Sequence, residues 1–307
     1  MTPLSRRAFL AASAATALSA QSMPWKVSVF SKHLHWAEYK EMAEVSKEIG
    51  FDAVDLTVRK GGHVLPERVA DDLPKAFEAV RKAGLAMEMI TTDIAGGNTP
   101  NAEAVLKTAS SLGIRYYRFG GLRYKDSGDP AAQLKEFIPS LRDLGALSKQ
   151  YNMHGMYHTH SGINQVGAAQ WDLQRLLAEV GAPHLGFNYD IGHATVEGGF
   201  GGWLLSTRTV APMMKGVALK DFLWRKDAKG EWRPAWCPMG QGMVNFPKFF
   251  TLLKQQRFHG PLQLHYEYPL GGADTGQKSI KIDKAELMAT MRKDLQFTRN
   301  VIAGLGS

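Results

Sequence analysis

The chain has 307 residues, a formal net charge of +8 and a single cysteine, Cys237. One cysteine excludes an internal disulfide. The positive charges are scattered and form no stripe of the kind that binds nucleic acid, so no nucleic-acid partner is predicted. No stretch after residue 20 reaches the ~20 apolar residues that a membrane helix needs, and the length suits one large α/β domain.

The first residues have the pattern of an export signal. Arg6 and Arg7 precede a short run of small apolar residues that ends near Ala20, which is typical of a twin-arginine signal peptide. We therefore predict a signal over residues 1–22 and one domain over residues 23–307. The expected location is periplasmic or otherwise extracytoplasmic, without stable membrane insertion after cleavage. An ordinary N-terminal helix with a chance arginine pair is the alternative.

A strand-helix unit recurs along the chain, because short β-rich runs follow glycines or other turn residues that close helical patterns. The predicted strands are residues 26–30, 53–56, 85–90, 114–119, 153–158, 185–189, 217–220 and 262–267. The predicted helices are residues 37–49, 71–82, 101–112, 130–151, 168–180, 204–214, 246–256 and 284–305. Eight units without a linker predict a single (β/α)8 TIM barrel, with a doubly wound open sheet as the alternative.

Three of the predicted strands end on imidazole or carboxylate groups. These groups are His158 with His160, Asp190, and Glu267. Strand ends meet at one face of a barrel, and a divalent ion needs three or four such ligands on a rigid frame. We therefore predict that these four residues form a metal site. The alternative is that Asp190 caps a helix or pairs with a lysine, while Glu267 pairs with an arginine.

Two more residues at the same face are candidates for catalysis. His193 lies three residues beyond Asp190, where it is placed to donate a hydrogen bond to a substrate oxygen. Lys220 ends a predicted strand, and a lysine near a divalent cation can act as a base or as a partner of an oxyanion. An exposed or capping role for His193, and an ion pair of Lys220 with Asp190 or Glu267, are the alternatives.

Substrate contacts are expected from the loops and the rim of this face. His160 contacts the substrate if His158 alone binds the metal. His63 and Arg118 lie at the ends of predicted strands or in the loops after them, and Trp224 is one of several rim tryptophans with a ring suited to stacking on a sugar. For a single tryptophan, packing is the alternative. The predicted catalytic residues are Lys220, His193 and His160, and the predicted substrate-binding residues are His63, Arg118 and Trp224.

Four short runs resemble the xylose isomerase-like TIM barrels, a group of sugar isomerases, ketose epimerases and inosose dehydratases. They are residues 157–162 (YHTHSG), 190–194 (DIGHA), 219–222 (LKDF) and 266–267 (YE). The resemblance extends from about Lys26 to Ile302. It is strongest to an exported branch of the group that begins with a twin-arginine signal.

The resemblance implies one divalent metal ion, held by an acid on strand five, an aspartate on strand six, a histidine on strand seven and a glutamate on strand eight. Asp190 and Glu267 match this pattern. His158 stands at the place of the acid and Ala218 at the place of the histidine, so His158 and His160 are expected to supply the missing ligands. An imidazole-rich site favours Mn, Co, Fe or Zn over Mg.

The implied reaction is the isomerisation or epimerisation of a non-phosphorylated keto-sugar or cyclitol through a metal-bound enediolate. Loss of a β-oxygen from the same intermediate would make the protein a hydro-lyase, dehydratase or keto-glycoside eliminase. A DNA-repair endonuclease is a rival that Ala218 and the scattered charge disfavour, and a non-catalytic carbohydrate-binding barrel is another. The expected partner is a small sugar, and a homo-oligomer is compatible with the sequence.

Overall fold

The computed structural model describes residues 25–305 of the chain. The predicted signal peptide, residues 1–22, lies outside the described residues. Among residues 25–305, no helix is long and apolar enough to cross a membrane.

A closed barrel of eight parallel strands forms the centre of the described part. The strands of this part are β1 (Val27–Phe30), β2 (Ala53–Val58), β3 (Ala86–Thr92), β4 (Tyr116–Phe119), β5 (His154–His158), β6 (Leu185–Asp190), β7 (Met214–Leu219), β8 (Asp221–Lys226), β9 (Trp232–Cys237) and β10 (Leu262–Leu264). The barrel has the order β1-β10-β7-β6-β5-β4-β3-β2, and β8 pairs with β9 outside it. The predicted single TIM barrel is therefore confirmed.

Helices follow the barrel strands and cover the outside of the barrel. They are α1 (Tyr39–Ile49), α2 (Val69–Lys82), α3 (Ala102–Ser111), α4 (Pro130–Gln150), α5 (Trp171–Val180), α6 (Ile191–Gly198), α7 (Gly202–Val210), α8 (Phe246–Gln255) and α9 (Lys284–Gly304). Asp129 and Asp283 cap α4 and α9 by accepting hydrogen bonds from backbone N–H groups. Gly50 and Gly181 end α1 and α5 in the left-handed conformation, with φ of 109° and 69°.

Two elements that the sequence did not predict lie next to strands that end at the active face. Helix α6 begins directly after β6, so Asp190 is both the last residue of a strand and the N-cap of a helix. The hairpin β8–β9 follows β7 and pairs over all six residues of each strand. The outer half of the hairpin is exposed and has the charged composition of a loop, which is why the pattern of buried strands did not reveal it.

Inside the barrel, three buried polar side chains come together: His158 of β5, Asn188 of β6 and Gln263 of β10. The interior of β7 has room for them because its residues there are small. A Cβ atom added to Gly216 would lie 3.1 Å from Asn188 Oδ1, and Ala218 shares the face of Gly216 by the period of the strand. β7 therefore contributes space at this level, and its neighbours contribute the polar groups.

Candidate active site and metal centre

Three buried side chains converge at the carboxyl ends of β5, β6 and β10. His158 and Asp190 are the last residues of β5 and β6, and His265 follows β10. One ligand atom from each lies within 4.8 Å of the others, and His158 Nε2 is 3.6 Å from Asp190 Oδ2. We call His158, Asp190 and His265 the buried triad.

The buried triad has the donor atoms that a cation needs. His158 Nε2, Asp190 Oδ2 and both ring nitrogens of His265 are buried and have no hydrogen-bond partner among the described residues. Buried polar atoms without partners cost free energy. Two imidazole nitrogens and one carboxylate oxygen form a ligand set that suits Zn and related transition metals, so these residues fit a divalent metal ion.

The protonation states of the buried triad also suit a metal. Burial lowers the pKa of His158 and His265 well below the ordinary value, and the positive charges of Arg118 and Lys220 lower both further. A neutral imidazole keeps a lone pair for a metal. Burial raises the pKa of Asp190 to about 6 against the opposing effect of Lys220, so its carboxyl group is ionised at neutral pH.

Two amide side chains hold the ring of His158. Its Nδ1 lies 3.2 Å from Asn188 Nδ2. Asn188 and Gln263 in turn make two reciprocal hydrogen bonds, of 3.0 and 3.1 Å, between their amide groups. Because Asn188 Nδ2 donates to Nδ1, the neutral ring carries its proton on Nε2, which faces Asp190. A metal at Nε2 requires the other tautomer, in which Nδ1 donates to an outer acceptor.

His265 reaches the buried triad because the chain leaves the barrel at this residue. Its own N–H donates to Leu219 O at 3.0 Å, but the N–H of Tyr266 donates to His33 Nε2, also at 3.0 Å. The imidazole of His265 stacks on the ring of Phe30, with the ring centres 4.5 Å apart. Backbone and ring contacts together fix this imidazole beside β5 and β6.

Lys220 connects the buried triad to the mouth of the barrel. Its side chain is 1% exposed, and Nζ lies 2.7 Å from His193 Nε2, 2.9 Å from Glu267 Oε2 and 3.3 Å from Asp190 Oδ2. The ring of Trp236 covers the ammonium group at 4.4 Å from its centre. The ammonium group therefore has hydrogen bonds to His193 and Glu267 and an ion pair with Asp190 Oδ2.

His160 and His193 lie beside the buried triad. His193 Nε2 accepts from Lys220, so Nδ1 carries the ring proton and donates to Ser161 Oγ at 2.7 Å. The ring centre of His160 is 4.4 Å from that of His158 and 4.9 Å from that of His193, and these three imidazoles form a second group with ligand atoms within 4.8 Å. His160 alone of the three is only partly buried, so it faces the mouth.

The sequence of this barrel matches the model of one protein family. The family model described as "Xylose isomerase-like TIM barrel" matches residues 43–299. The chain belongs to this family. The resemblance predicted from the sequence is thereby confirmed at the level of the family. No curated protein matches the chain.

Solved structures of the xylose isomerase-like fold resemble this barrel over most of its length. A protein of that description from Mycobacterium smegmatis, in complex with magnesium, is 15% identical with a TM-score of 0.65 over 89% of this chain and 99% of the other. A 3-keto-D-glucoside 4-epimerase from E. coli is 14% identical with a TM-score of 0.64 over 90% and 99%. A probable 3-DHS dehydratase from Bacillus anthracis is 16% identical with a TM-score of 0.66 over 88% and 98%.

The four metal ligands predicted for this xylose isomerase-like barrel lie close together. His158 and Asp190 belong to the buried triad, and His160 belongs to the second group of three. Asp190 also performs the predicted alternative role, since Oδ1 caps α6 by accepting from the N–H of His193 at 3.0 Å. Its other oxygen, Oδ2, remains directed at His158 and Lys220.

Glu267, the fourth predicted ligand, is engaged by two lysines. Oε2 accepts from Lys220, and Oε1 lies 3.8 Å from Lys32 Nζ and 3.9 Å from His265 Nδ1. Burial opposes ionisation, but Lys220 and Lys32 hold the pKa of this carboxyl well below its usual range. Glu267 therefore lies at the edge of the buried triad as an ionised group, and its role as a metal ligand stays a prediction.

Two of the predicted substrate-binding residues lie on the other side of the mouth. The guanidinium carbon of Arg118 is 5.8 Å from the ring centre of Phe30. His63 Nδ1 is 3.2 Å from Thr57 Oγ1, its ring contacts His35, and its Nε2 is buried without a partner among the described residues. Arg118 thus shares Phe30 with His265 of the buried triad, whereas His63 belongs to a separate pair of imidazoles.

The third predicted substrate-binding residue, Trp224, lies on the outside of the hairpin. It is 39% exposed, its ring contacts Phe222, and it lines a crevice of about 560 Å³ together with Phe200 and Met243. The indole that reaches the histidines is that of Trp236, with ring centres 4.8 Å apart for Trp236 and His193.

Three residues of the site were not predicted. His265 shares the face of Glu267 by the alternation of its strand, and this signal was sufficient to include it. Trp236 was recognised only as a rim tryptophan, because the pairing of β8 with β9 is what brings it over Lys220. Ser161 carries no signal in the sequence that separates it from an ordinary loop serine.

Proposed function

We propose that the protein is a divalent-metal-dependent isomerase or epimerase that acts on a non-phosphorylated keto-sugar or cyclitol. The observation that carries this proposal is the buried triad, whose donor atoms face one another without hydrogen-bond partners among the described residues. Membership of the xylose isomerase-like family and fold neighbours named as epimerases support it.

His158, Asp190 and His265 would hold the metal ion, for which Mn, Co, Fe and Zn are the candidates. When bound, such an ion supplies Lewis-acid polarisation of a substrate carbonyl. The two imidazoles are already neutral and the carboxyl group is ionised. For His158 the ring proton would have to move from Nε2 to Nδ1, because Asn188 Nδ2 donates to Nδ1 in this structure.

Lys220 holds the proton that the reaction needs. Enolisation takes a proton from carbon and places negative charge on an oxygen, and a buried ammonium group stabilises such a charge. Lys220 Nζ would give a proton to that oxygen, while the ionised carboxylate of Glu267 beside it would take the proton from carbon. Return of one proton to carbon and of the other to Nζ would restore both groups. Glu267 and His193 keep Nζ in position through hydrogen bonds of 2.9 and 2.7 Å.

His160 lies at the mouth, where it would orient the substrate. Burial, assisted by Arg118 and Lys220, lowers the pKa of His160 to about 3. This imidazole is therefore neutral at physiological pH and is a poor acid for a departing oxygen. As a neutral ring at the mouth it can accept a hydrogen bond from a substrate hydroxyl, which is a role in orientation.

The first experiment is elemental analysis of the purified protein, followed by incubation with ketoses in deuterated water. We expect about one Mn, Co, Fe or Zn per chain and incorporation of deuterium next to the carbonyl, with an epimer or isomer as product. A dehydrated product would favour the lyase alternative. A protein that takes up no metal and still binds sugar would contradict the proposal and support a non-catalytic carbohydrate-binding barrel.

We also propose that the protein is exported by the twin-arginine route, on the strength of Arg6 and Arg7 before an apolar run. Fractionation of cells that express the full chain tests this. We expect the protein in the periplasm, and retention inside the cell for the double variant Arg6→Lys, Arg7→Lys. If the wild type and the double variant were found in the same proportions in the periplasm and inside the cell, export by this route would be contradicted.

A further inference from the structure

Three cationic side chains surround one aromatic ring at the mouth of the barrel. Lys32 Nζ, the guanidinium carbon of Arg59 and that of Arg118 lie 5.8, 5.5 and 5.8 Å from the ring centre of Phe30. They come from three different elements: Lys32 follows β1, Arg59 follows β2 and Arg118 lies on β4. We call Lys32, Arg59 and Arg118 the cationic cluster.

The two arginines of the cationic cluster have no counter-ion in contact. Among residues 25–305, no carboxylate oxygen lies within 4 Å of a side-chain nitrogen of Arg59 or Arg118, and Lys32 has only Glu267, at 3.8 Å. Glu267 is already the partner of Lys220. Carboxyl groups act on the arginines from farther away: Asp55 and Asp93 on Arg59, and Asp55, Glu267 and Asp190 on Arg118. The two oxygens of Asp55 both accept from the Thr91 hydroxyl, at 2.9 and 2.8 Å.

Burial and the neighbouring positive charges lower the pKa of these side chains. Burial lowers the pKa of Lys32, and Lys220, Arg59 and Arg118 lower it further against the opposing effect of Glu267. Burial and Arg59 lower the pKa of Arg118 to about 10, so this group remains charged at neutral pH. Arg118 is deeply placed and yet keeps part of its surface accessible, which means that it lines the mouth and is not sealed in the core.

The cationic cluster lies next to the buried triad. Phe30, which the three cations surround, stacks on His265 with ring centres 4.5 Å apart. His265 is one of the residues that would hold the metal. A single small molecule at the mouth can therefore touch the cationic cluster at one end and the metal at the other.

We infer that the substrate carries a carboxylate group, which binds Arg59, Arg118 and Lys32 while its carbonyl end lies at the buried triad. This inference rests on the proposed function and narrows its substrate to a keto-sugar acid. With a neutral sugar, neither guanidinium group would have a carboxylate of the described residues in contact, and only more distant carboxyl groups would offset their charge in a partly enclosed pocket. A bound divalent ion would add to the positive charge, and a carboxylate offers the planar, bidentate acceptor that guanidinium groups fit.

Three ligands that differ only at carbon 6 test the inference: D-fructose, D-fructuronate and D-fructose 6-phosphate. Their dissociation constants are measured by calorimetry on the Mn-loaded protein and on the chelated protein. The variants are Arg118→Gln and Arg59→Gln, with Lys60→Gln as the control. Lys60 follows Arg59 in the chain but is exposed, so it changes the net charge equally without touching the mouth.

We expect D-fructuronate to bind most tightly of the three. Each arginine variant should weaken its binding about 10- to 100-fold, as the loss of a charge-assisted hydrogen bond does, and should leave D-fructose within about threefold. Lys60→Gln should change neither. The effect of the arginine variants should persist in the chelated protein, because it does not depend on the metal. Melting temperatures identify any variant that fails to fold. If one of the two arginine variants does not fold, the affinities of the other variant test the inference.

Failure of the inference differs from failure of the proposed function. Equal affinity for D-fructose and D-fructuronate, absence of D-fructuronate binding, or indifference to both arginine variants would overturn the inference while deuterium exchange into a neutral ketose still supported the function. Tighter binding of D-fructose 6-phosphate would overturn the assignment of a carboxylate. Arginine-dependent binding of D-fructuronate without metal uptake or exchange would support the anion site and contradict the enzymatic function.

Discussion

The two sides of the barrel mouth differ in what their buried side chains lack. On the side of β5, β6 and β10, the buried triad presents nitrogen and oxygen atoms that have no hydrogen-bond partner among residues 25–305, although the charge of Lys220 lies 3.3 Å from Asp190 Oδ2. On the side of β1, β2 and β4, the cationic cluster presents guanidinium groups that no carboxylate of the described part of the chain contacts. Lys220 and Glu267 lie between them and pair with each other at 2.9 Å.

This difference indicates that one side of the mouth suits a cation and the other an anion. Lone pairs without donors are suited to a cation, and cations without acceptors are suited to an anion. A stable core avoids unpaired acceptors and unpaired cations. Here the two kinds of group lie side by side, and the stack of Phe30 on His265 joins them. This arrangement suits the binding of a cation and an anion next to each other. Substitutions on one side should therefore change metal or proton chemistry, and substitutions on the other should change recognition.

The largest effect is expected for the lysine between the two sides. Lys220→Met removes the ammonium group that reaches Asp190, Glu267 and His193, and should lower turnover about 100- to 10,000-fold, the range typical of a lost acid or base, while the metal content stays near that of the wild type. Turnover and elemental analysis check this. Lys226→Met, at an exposed hairpin position, is the control, and unchanged proton exchange in Lys220→Met would remove the lysine from the mechanism.

The next effect separates two candidates for the last metal ligand. His265→Ala removes donor atoms of the buried triad and should weaken Mn binding by more than about 100-fold, a larger loss than for outer residues. Glu267→Gln, which mainly removes a partner of Lys220, should weaken it less than about tenfold. Calorimetric titration measures both, with the exposed His259→Ala as control. The reverse order would support the ligand set expected from the sequence, with Glu267 as a ligand.

A third prediction tests the acid beneath the cationic cluster. Burial raises the pKa of Asp55 to about 7, although Thr91, Arg118 and Arg59 oppose the shift. An acid with a raised pKa destabilises the fold when it is ionised, so the cost is present above pH 7 and disappears as the pH falls toward 4. The free energy of unfolding of Asp55→Asn, relative to that of the wild type, should therefore increase by about 2–3 kcal/mol between pH 5 and pH 8.

Chemical denaturation at the two pH values measures this gain. Asp71→Asn, at an exposed position of α2, is the control for the loss of one negative charge away from the cationic cluster. If Asp55→Asn lost stability relative to the wild type at pH 8, Asp55 would be acting as a net counter-ion for the arginines, and the cationic cluster would be less deficient in negative charge than we infer.

The smallest effect concerns the tryptophans. Trp236→Ala removes the ring that covers Lys220 and contacts His193, and should weaken ketose binding about tenfold, as the loss of an aromatic contact does. Trp224→Ala, on the outer surface of the same hairpin, should change binding less than about twofold. Dissociation constants from fluorescence or calorimetry check both. A larger effect of Trp224→Ala would support the role that the sequence analysis assigned to this residue.

The barrel could be predicted because its signals are local. Glycines that end helices and short apolar runs mark each strand, and the parallel topology follows from the handedness of strand-helix connections. The placement of His158 and Asp190 is also local, since both are strand-terminal residues. The hairpin β8–β9 escaped prediction because its exposed half carries no buried pattern.

The arrangement around Glu267 could not be predicted, because it depends on where the ladder of β10 stops. The sequence indicated a strand that runs to Glu267, whereas pairing ends at Leu264 and the N–H of Tyr266 turns to His33. His265 thereby takes the strand-end position. That no carboxylate of residues 25–305 contacts Arg59 or Arg118 is likewise a property of the whole neighbourhood, and residue types alone do not reveal it.

The reciprocal amide pair of Asn188 and Gln263 has a consequence for how a metal enters and leaves. If both amides rotate by half a turn together, every donor becomes an acceptor and every acceptor a donor, so their two mutual hydrogen bonds survive. The contact with His158 then reverses: Nδ1 donates and Nε2 becomes a lone pair. The barrel interior thus has two arrangements with the same number of hydrogen bonds. In one, Nε2 of His158 carries the proton, and in the other it is free to bind the proposed metal, so rotation of two side chains is enough to pass between them.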